Sequence, residues 1–324
     1  MRAVVVTTPG EPDVMRIDEV PTPVARPGQV LIRTVASGVN RADLLQRRGF
    51  YPPPPGESDI IGLEASGTIA AIGEGVHGWT IGDPCVALLA GGGYAEYVVV
   101  PAGQAIRPPA GVDLVTAGGL LEVAATVLSN FDHVRLQPGE RVLVHGGAGG
   151  IGTFALPYAV ALGCPVATTA GSPEKLALCR TLGAAVAVDY HGDWAAEIRT
   201  QFGSPDVILD IMGAKYLEPN VALLAPDGRL VIIGLQGGRK GTLDIGGLLS
   251  KRGTVTATSL RYRPTAHKVA ITQAVADRVW PLIEAGRIPL PPERRFAFAD
   301  VAAAHIFLDS GEATGKVLLV HEGP

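Results

Sequence analysis

The sequence is poor in cysteine: Cys85, Cys164 and Cys179 are the only three in 324 residues. No two form a C-x-x-C pair and their number is odd, which argues against a disulfide framework and for a reducing compartment. Charge is also scarce, at 18% of residues with a formal net charge of −4. Lys and Arg are scattered rather than massed, so the basic field of a nucleic-acid binder is missing and no nucleic-acid partner is expected. Long apolar runs are missing as well. The opening "MRAVVVTTPGEPD" has too short an apolar run for a signal peptide, and no later run could span a bilayer. A soluble, cytoplasmic protein with no membrane partner is expected. There is no internal repeat and no low-complexity linker. His77, His133, His191 and His267 are scattered without H-x-x-x-H spacing and read as surface or capping residues. "GGGYAEY" holds no nucleophile for a Ser-His-Asp elbow.

An apolar fraction of 47% is too high for a disordered chain, and the length allows two domains around a substantial core. The first 120 residues read as short strands punctuated by Gly and Pro: "RAVVV", "VLIRTVAS", "GTIAAIG", "CVALL" and "YAEYVVV". "YPPPPG" at 51–56 is a stiff polyproline-like segment inside this β-rich half. From about residue 123 the pattern changes. "RVLVH", "PVATTA", "AVAVD", "DVILDI" and "RLVIIG" alternate with helical stretches such as "SPEKLALCRTLG" and "YLEPNVALLA", which predicts a parallel sheet covered on both faces. Residues 265–286 read as one long helix, followed by strand, helix and strand to about residue 320.

Glycine is concentrated where it costs most. In "RVLVHGGAGGIGTF", residues 141–154, Gly147, Gly149 and Gly152 fall in the order G-x-G-x-x-G between a strand and a helix. That context is a dinucleotide pyrophosphate site. Gly147 permits the tight turn, Gly149 lets the backbone approach phosphate oxygens, and Gly152 lets helix and strand pack. Ala148, Gly150 and Ile151 complete the loop, whose helix N-terminus offers unpaired N–H groups to an anion. Pro157, inside the expected helix, predicts a kink after its first turn. A second absence selects the nucleotide. No Asp or Glu ends the second strand, "PVATTA"; Gly171, Ser172 and Lys175 follow it instead. An acid there would repel a 2′-phosphate, so NADPH is favoured over NADH. Ser172 with Pro173 also reads as a helix cap, and the two readings are compatible.

Several segments together resemble one family: "SGVNRADLLQRRGFYPPPPG", "GLEASGTIAAIG", "GGGYAEYVVVP", the glycine loop, "GSPEKL", "LAPDGRLVIIGLQGG" and "TGKVLL". They are similar to the zinc-independent quinone oxidoreductases of the medium-chain dehydrogenase/reductase superfamily, in one register from residue 1 to about 320. The resemblance implies an α/β fold with a GroES-like β-barrel catalytic domain (1–122 and 263–324) and a Rossmann domain with a doubly wound parallel sheet (123–262). It also implies a cleft between them and a homodimer. Asn40-Arg41-Ala42-Asp43 and "GLE" at 62–64 stand where zinc-binding relatives carry ligands, and the four-cysteine structural zinc lobe is missing, so no metal is expected.

By the same resemblance, Asn40 and Tyr51 lie on the substrate side of the nicotinamide as catalytic residues, with Asn40 also touching the cofactor. Thr126 lies beside the nicotinamide or its ribose. Gly171, Ser172, Lys175 and Tyr190 form the 2′-phosphate pocket. The backbone of Gly234, Leu235 and Gly237 and the segment Ser259-Leu260-Arg261 flank the nicotinamide half, and Lys316 closes over it. "EVAATVLSN" lacks the aromatic residues common there in the family, and Gln236 stands where a hydrophobic residue is usual. From spacing alone, Asn40 reads as a turn residue and Tyr51 as an anchor on the prolines. Asp43 and Glu64 could form a carboxylate pair, but buried ion pairs with Arg41 or Arg47 are the commoner fate. Three functions stay open: an NADPH-dependent reductase of small quinones, a reductase of activated C=C bonds with Tyr51 as proton donor, and a non-catalytic NADPH-binding protein.

Overall fold

A computed structural model describes residues 1–321, which divide into two compact units. The first comprises Met1–Ala125, Leu260–Ala285 and the chain from Pro292 onward; the second comprises Thr126–Ser259 and Gly286–Pro291.

The first unit opens with an antiparallel pair, β1 (Arg2–Val6) and β2 (Met15–Glu19). Then come β3 (Gln29–Val39), α1 (Arg41–Arg47), β4 (Glu64–Ile72), β5 (Pro84–Leu88), β6 (Tyr97–Pro101), β7 (Ala105–Ile106), α2 (Leu114–Ala117) and α3 (Leu121–His133), within which the unit boundary falls. Strand β6 alternates, with Val98 and Val100 inside, as expected of a strand with one buried face. The long β3 organises the unit. It pairs antiparallel with β4 on one side and with β6 through Gln29–Arg33 on the other.

The second unit contains β8 (Val142–His145), α4 (Gly150–Ala161), β9 (Val166–Ala170), α5 (Pro173–Thr181), β10 (Val186–Asp189), α6 (Trp194–Gln201), β11 (Val207–Asp210), α7 (Ala214–Leu223), β12 (Arg229–Ile232), α8 (Ile245–Ser250) and β13 (Thr254–Ala257). Its six strands are all parallel in the order β10-β9-β8-β11-β12-β13. Numbered within the unit this is 3-2-1-4-5-6, the Rossmann order. Strands β8 and β11 are buried at every residue, which is why they read as unbroken apolar runs.

The chain then adds α9 (Thr265–Arg278), α10 (Trp280–Glu284), β14 (Glu293–Ala297), α11 (Val301–Asp309) and β15 (Lys316–Val320) to the first unit. Strand β15 pairs antiparallel with the end of β3, Val317 opposite Val39. A core of Val4, Val39, Leu44, Ile61, Tyr94, Phe298, Val301 and Leu319 packs β15 and α11 against α1.

Two readings are corrected. The single helix over 265–286 is two, α9 and α10, separated at Val279. Pro281 has no N–H for the carbonyl of Asp277, so the α-helical ladder cannot continue. Helix α4 continues through Pro157, which forgoes the bond to the Thr153 carbonyl. Strand β13 was not expected; "TVTA" is short, mostly exposed and lacks an apolar run, but its β-branched residues suit a sheet edge.

Candidate active site

The glycine loop of the second unit follows β8 directly. A Cβ on Gly147 would overlap the Thr168 hydroxyl, and one on Gly152 would overlap the carbonyl of Gly146 and the Cα of Gly147. Both positions therefore need glycine for packing. Gly149 differs: a Cβ there would meet only the Gly146 carbonyl at 3.5 Å, an ordinary contact. It is the N-cap of α4, where first-turn N–H groups are left for an anion. Thr169 braces the loop, its Oγ1 accepting the Gly146 N–H at 3.2 Å and its carbonyl the Gly147 N–H at 3.0 Å. Behind it lies the fully buried His145, 2.7 Å from Asn220 Oδ1 and 3.2 Å from Thr169 Oγ1. Burial lowers its pKa to about 4, so the ring is neutral at pH 7 and carries its proton on Nε2, toward the Asn220 oxygen.

Strand β9 ends at Ala170. A Cβ on Gly171 would overlap the hydroxyl of Tyr190, so those two residues are in direct contact. Ser172 caps α5, its Oγ accepting the Lys175 N–H at 3.2 Å, and Pro173 follows it. The capping reading of Ser172 is thus realised, and it fixes the loop beside Tyr190. Glu174 is exposed, and its own backbone N–H and the Ser172 hydroxyl hold its carboxylate below the usual range. On the other side of β8, Gly234 and Gly237 allow close approach of the loop after β12 to the one after β11. Gln236 N–H donates to Ile211 at 3.2 Å and Gly237 N–H to Met212 at 2.7 Å. Leu235 between them is half-exposed. Thr126, on α3, is buried and accepts the Asn130 amide N–H at its carbonyl, 2.8 Å away. An open glycine face at a helix N-terminus, with a hydroxyl, an ammonium and no acid at the end of β9, fits a dinucleotide bearing a 2′-phosphate.

In the first unit, strand register does what the sequence could not reveal. Pairing of Val317 with Val39 brings Lys316 beside Asn40, and pairing of Ala65 with Ser37 brings Glu64 beside Gly38. A Cβ on Gly38 would overlap the Glu64 carboxylate. Lys316 Nζ donates to Glu64 Oε1 at 2.8 Å and to Asn40 Oδ1 at 2.7 Å. Asn40 Nδ2 donates to Glu64 Oε1 at 3.0 Å, and Glu64 Oε2 accepts the Glu122 N–H at 3.0 Å. Lys316 and Glu64 are 3% and 1% exposed, so each is the other's neutralising charge. The ammonium is donor-only and the carboxylate acceptor-only, which fixes which way the Asn40 amide faces and leaves its second Nδ2 hydrogen for another acceptor.

Asp43, in the first turn of α1, accepts the Asn40 backbone N–H at 2.7 Å and is buried. The expected pairing of Asp43 and Glu64 with Arg41 or Arg47 does not occur. Arg41 binds Asp309 at 2.8 Å, Arg47 donates to the Gly10 carbonyl and approaches Glu11, and Glu64 pairs with Lys316. The reason is register: β15 delivers a cation to Glu64 from 252 residues away. Lys316 is thus spent inside the first unit.

Tyr51 sits after α1, edge-on to Tyr262 at 5.4 Å, with the Arg261 guanidinium 5.2 Å from its ring centre. Arg261 is buried and donates to Tyr51, Ala90 and Gln46, at 3.1, 2.8 and 2.7 Å. Tyr262 donates to the Pro52 carbonyl at 2.8 Å. Residues 261 and 262 therefore fasten the stretch that carries Tyr51. Sequence reasoning named Arg261 and Tyr51 separately and did not see this clamp, nor the buried Tyr94 and His305 described below. Among the described residues, no three His, Cys, Asp or Glu side chains gather as a metal site, and no helix is long and apolar enough to cross a membrane.

The alcohol dehydrogenase GroES-like domain family matches residues 26–110, and the zinc-binding dehydrogenase family matches 150–275. A quinone oxidoreductase of Pseudomonas aeruginosa is 33% identical over 321 residues, covering 96% of this chain and 97% of that protein. The chain belongs to the zinc-independent quinone oxidoreductase family of the medium-chain dehydrogenases/reductases. A second relative of this family member is a 2-haloacrylate reductase of a Burkholderia species, 30% identical and covering 98% of both chains. Among solved structures, the Escherichia coli quinone oxidoreductase complexed with NADPH superimposes with a TM-score of 0.89 at 26% identity, covering 99% of this chain and 100% of that one.

Proposed function

We propose that the protein is an NADPH-dependent oxidoreductase that reduces small quinones, with Asn40 donating a hydrogen bond to the acceptor carbonyl. The observation that carries this reading is the buried Asn40–Glu64–Lys316 arrangement, which orients the amide and leaves one N–H uncommitted. NADPH, held by Gly147–Gly152 and by Gly171, Ser172, Lys175 and Tyr190, would supply a hydride when bound. The chain's own part is electrostatic. A donor fixed in advance costs no reorganisation as negative charge grows on the acceptor oxygen, and loss of one such donor costs about 100-fold to 1,000-fold in turnover. The Lys316–Glu64 pair fixes the amide from both sides, the ammonium donating to its oxygen and the carboxylate accepting from its nitrogen. Tyr51, held by Arg261 and Tyr262, offers a ring for a flat acceptor to stack on. The dimer expected from the resemblance and the cytoplasmic location expected from the cysteine content and apolar runs remain part of this proposal.

A second reading is reduction of an activated C=C bond, supported by the similarity to the 2-haloacrylate reductase. There the Tyr51 hydroxyl would deliver the proton. Initial rates of NADPH and NADH oxidation, with an ortho-quinone in one series and a 2-haloacrylate or 2-enoyl thioester in another, separate the two. The quinone reading predicts fast NADPH oxidation with the quinone alone and near-normal turnover for Tyr51→Phe. Preference for the alkene, with turnover lost in Tyr51→Phe, would replace it with the second. Tight NADPH binding without turnover of either would leave a nucleotide-binding protein.

A further inference from the structure

Behind Asn40 runs a chain of buried polar side chains with no part in binding nucleotide or acceptor. Arg47 Nη1 is 3.1 Å from His305 Nδ1, His305 Nε2 is 3.2 Å from the Tyr94 hydroxyl, and that hydroxyl is 3.1 Å from Asp43 Oδ2. All four side chains are fully buried. The direction of every bond follows from its first member. A guanidinium can only donate, so His305 Nδ1 accepts, Nε2 carries the ring proton and donates to Tyr94, and Tyr94 must donate to Asp43. Asp43 Oδ2 also receives the Asn40 backbone N–H. Its other oxygen, Oδ1, is buried with no partner. A proton on this carboxyl group would therefore find no acceptor at Oδ1 and would compete with two donors at Oδ2. We infer that Arg47, His305 and Tyr94 form a one-way donor relay that holds Asp43 as a carboxylate and thereby positions Asn40, making all four positioning residues for the reaction.

The relay works against a real opposing force. Burial pushes Asp43 up to about 7, against the bonds from Asn40 and Tyr94 and the charges of Arg261 and Lys316, which favour ionisation. Tyr94 itself is pushed well up by burial and by Asp43, with Glu64 and Arg47 also facing it, so it stays a donor. Burial and Arg47 push His305 down to about 3, with Asp309 and Arg48 as its other charged neighbours, so the ring stays neutral. Asp43 is thus the member whose charge changes near neutral pH.

This inference rests on the reading that Asn40 meets the acceptor, and the test separates the two. In the whole protein carrying 13C-labelled aspartate and 15N-labelled asparagine, the Asp43 carboxyl and the Asn40 side-chain amide are followed by NMR from pH 5 to 9, with Asp43→Asn and Asn40→Ala providing assignments. In the wild-type protein both resonances are expected to share one midpoint. In Tyr94→Phe, which keeps the ring, that midpoint should rise by about one pH unit, a tenfold change in proton affinity. The acid limb of kcat should move equally, with KM for NADPH unchanged. An Asn40 amide that ignores Asp43 in the wild-type protein, or an Asp43 midpoint unaltered in Tyr94→Phe, would overturn the relay. Linked resonances in a protein that turns over no acceptor would support the relay and reject the proposed reaction.

Discussion

Lys316 and Glu64 show how much depends on single atoms in this site. Replacing Lys316 with Met leaves a carboxylate buried without its cation, and breaking such a pair costs about 3–5 kcal/mol. Urea unfolding of Lys316→Met should show a loss of that size, and adding Glu64→Gln should recover much of it. Gly38→Ala tests the same arrangement from behind, because its new Cβ falls on the Glu64 carboxylate. Displacing Glu64 displaces the Asn40 amide, so kcat should fall roughly 10-fold to 100-fold while the NADPH Kd is unaltered. At this scale the sequence was half legible. Asn40 and Lys316 stood out within motifs, but their contact spans 276 residues and exists only through the β3–β15 register, which no local pattern encodes.

Elements explain the glycines, and predict that they are not equivalent. Gly149→Ala should fold with near-normal stability, since its Cβ has room and its φ of −79° suits alanine, yet NADPH binding should weaken as the methyl group intrudes on the open face. Gly152→Ala should instead lower the melting temperature before any ligand is added, because helix and strand must move apart. Calorimetry paired with fluorescence titration of NADPH distinguishes the two. At the next strand, Ser172→Ala should remove about 1 kcal/mol of α5 capping, whereas Lys175→Ala should raise KM for NADPH and leave that for NADH unchanged. Element-level reading succeeded where period and punctuation agreed, as at β8, the glycine loop and α5. It failed at β13, whose four residues carry no apolar signal, and at 265–286, where helical periodicity concealed the break that Pro281 imposes.

For the molecule as a whole, buried ionisable groups set the response to pH. Burial lowers His145 and His321 to about 4 and His305 to about 3, below the ordinary 6.5. On unfolding each takes up a proton at mildly acid pH, so their contribution to stability is full above pH 6.5 and is lost as pH falls through about 4. Asp43 and Asp210, raised to about 7 and about 6, act oppositely, and their contribution is lost as pH rises from about 4 through those values. The stability difference between wild type and His145→Asn should therefore shrink between pH 7 and pH 4.5, measured by denaturant unfolding at each pH. The chain's division into a β-rich unit and a parallel α/β unit was visible in the sequence, because strand spacing and turn residues change style near residue 123. Return of the C-terminal segment to the first unit came from the resemblance alone, since a strand's pairing partner leaves no mark in its own composition.

The most direct test of the account is the turnover of Asn40→Ala with NADPH and an ortho-quinone, measured beside its NADPH Kd. A fall in kcat of about 100-fold or more is expected with Kd nearly unchanged, as for loss of one preorganised donor. Unchanged kcat in that variant would mean that the acceptor is not polarised by Asn40, and the assignment of the Asn40–Glu64–Lys316 arrangement to the reaction would fail.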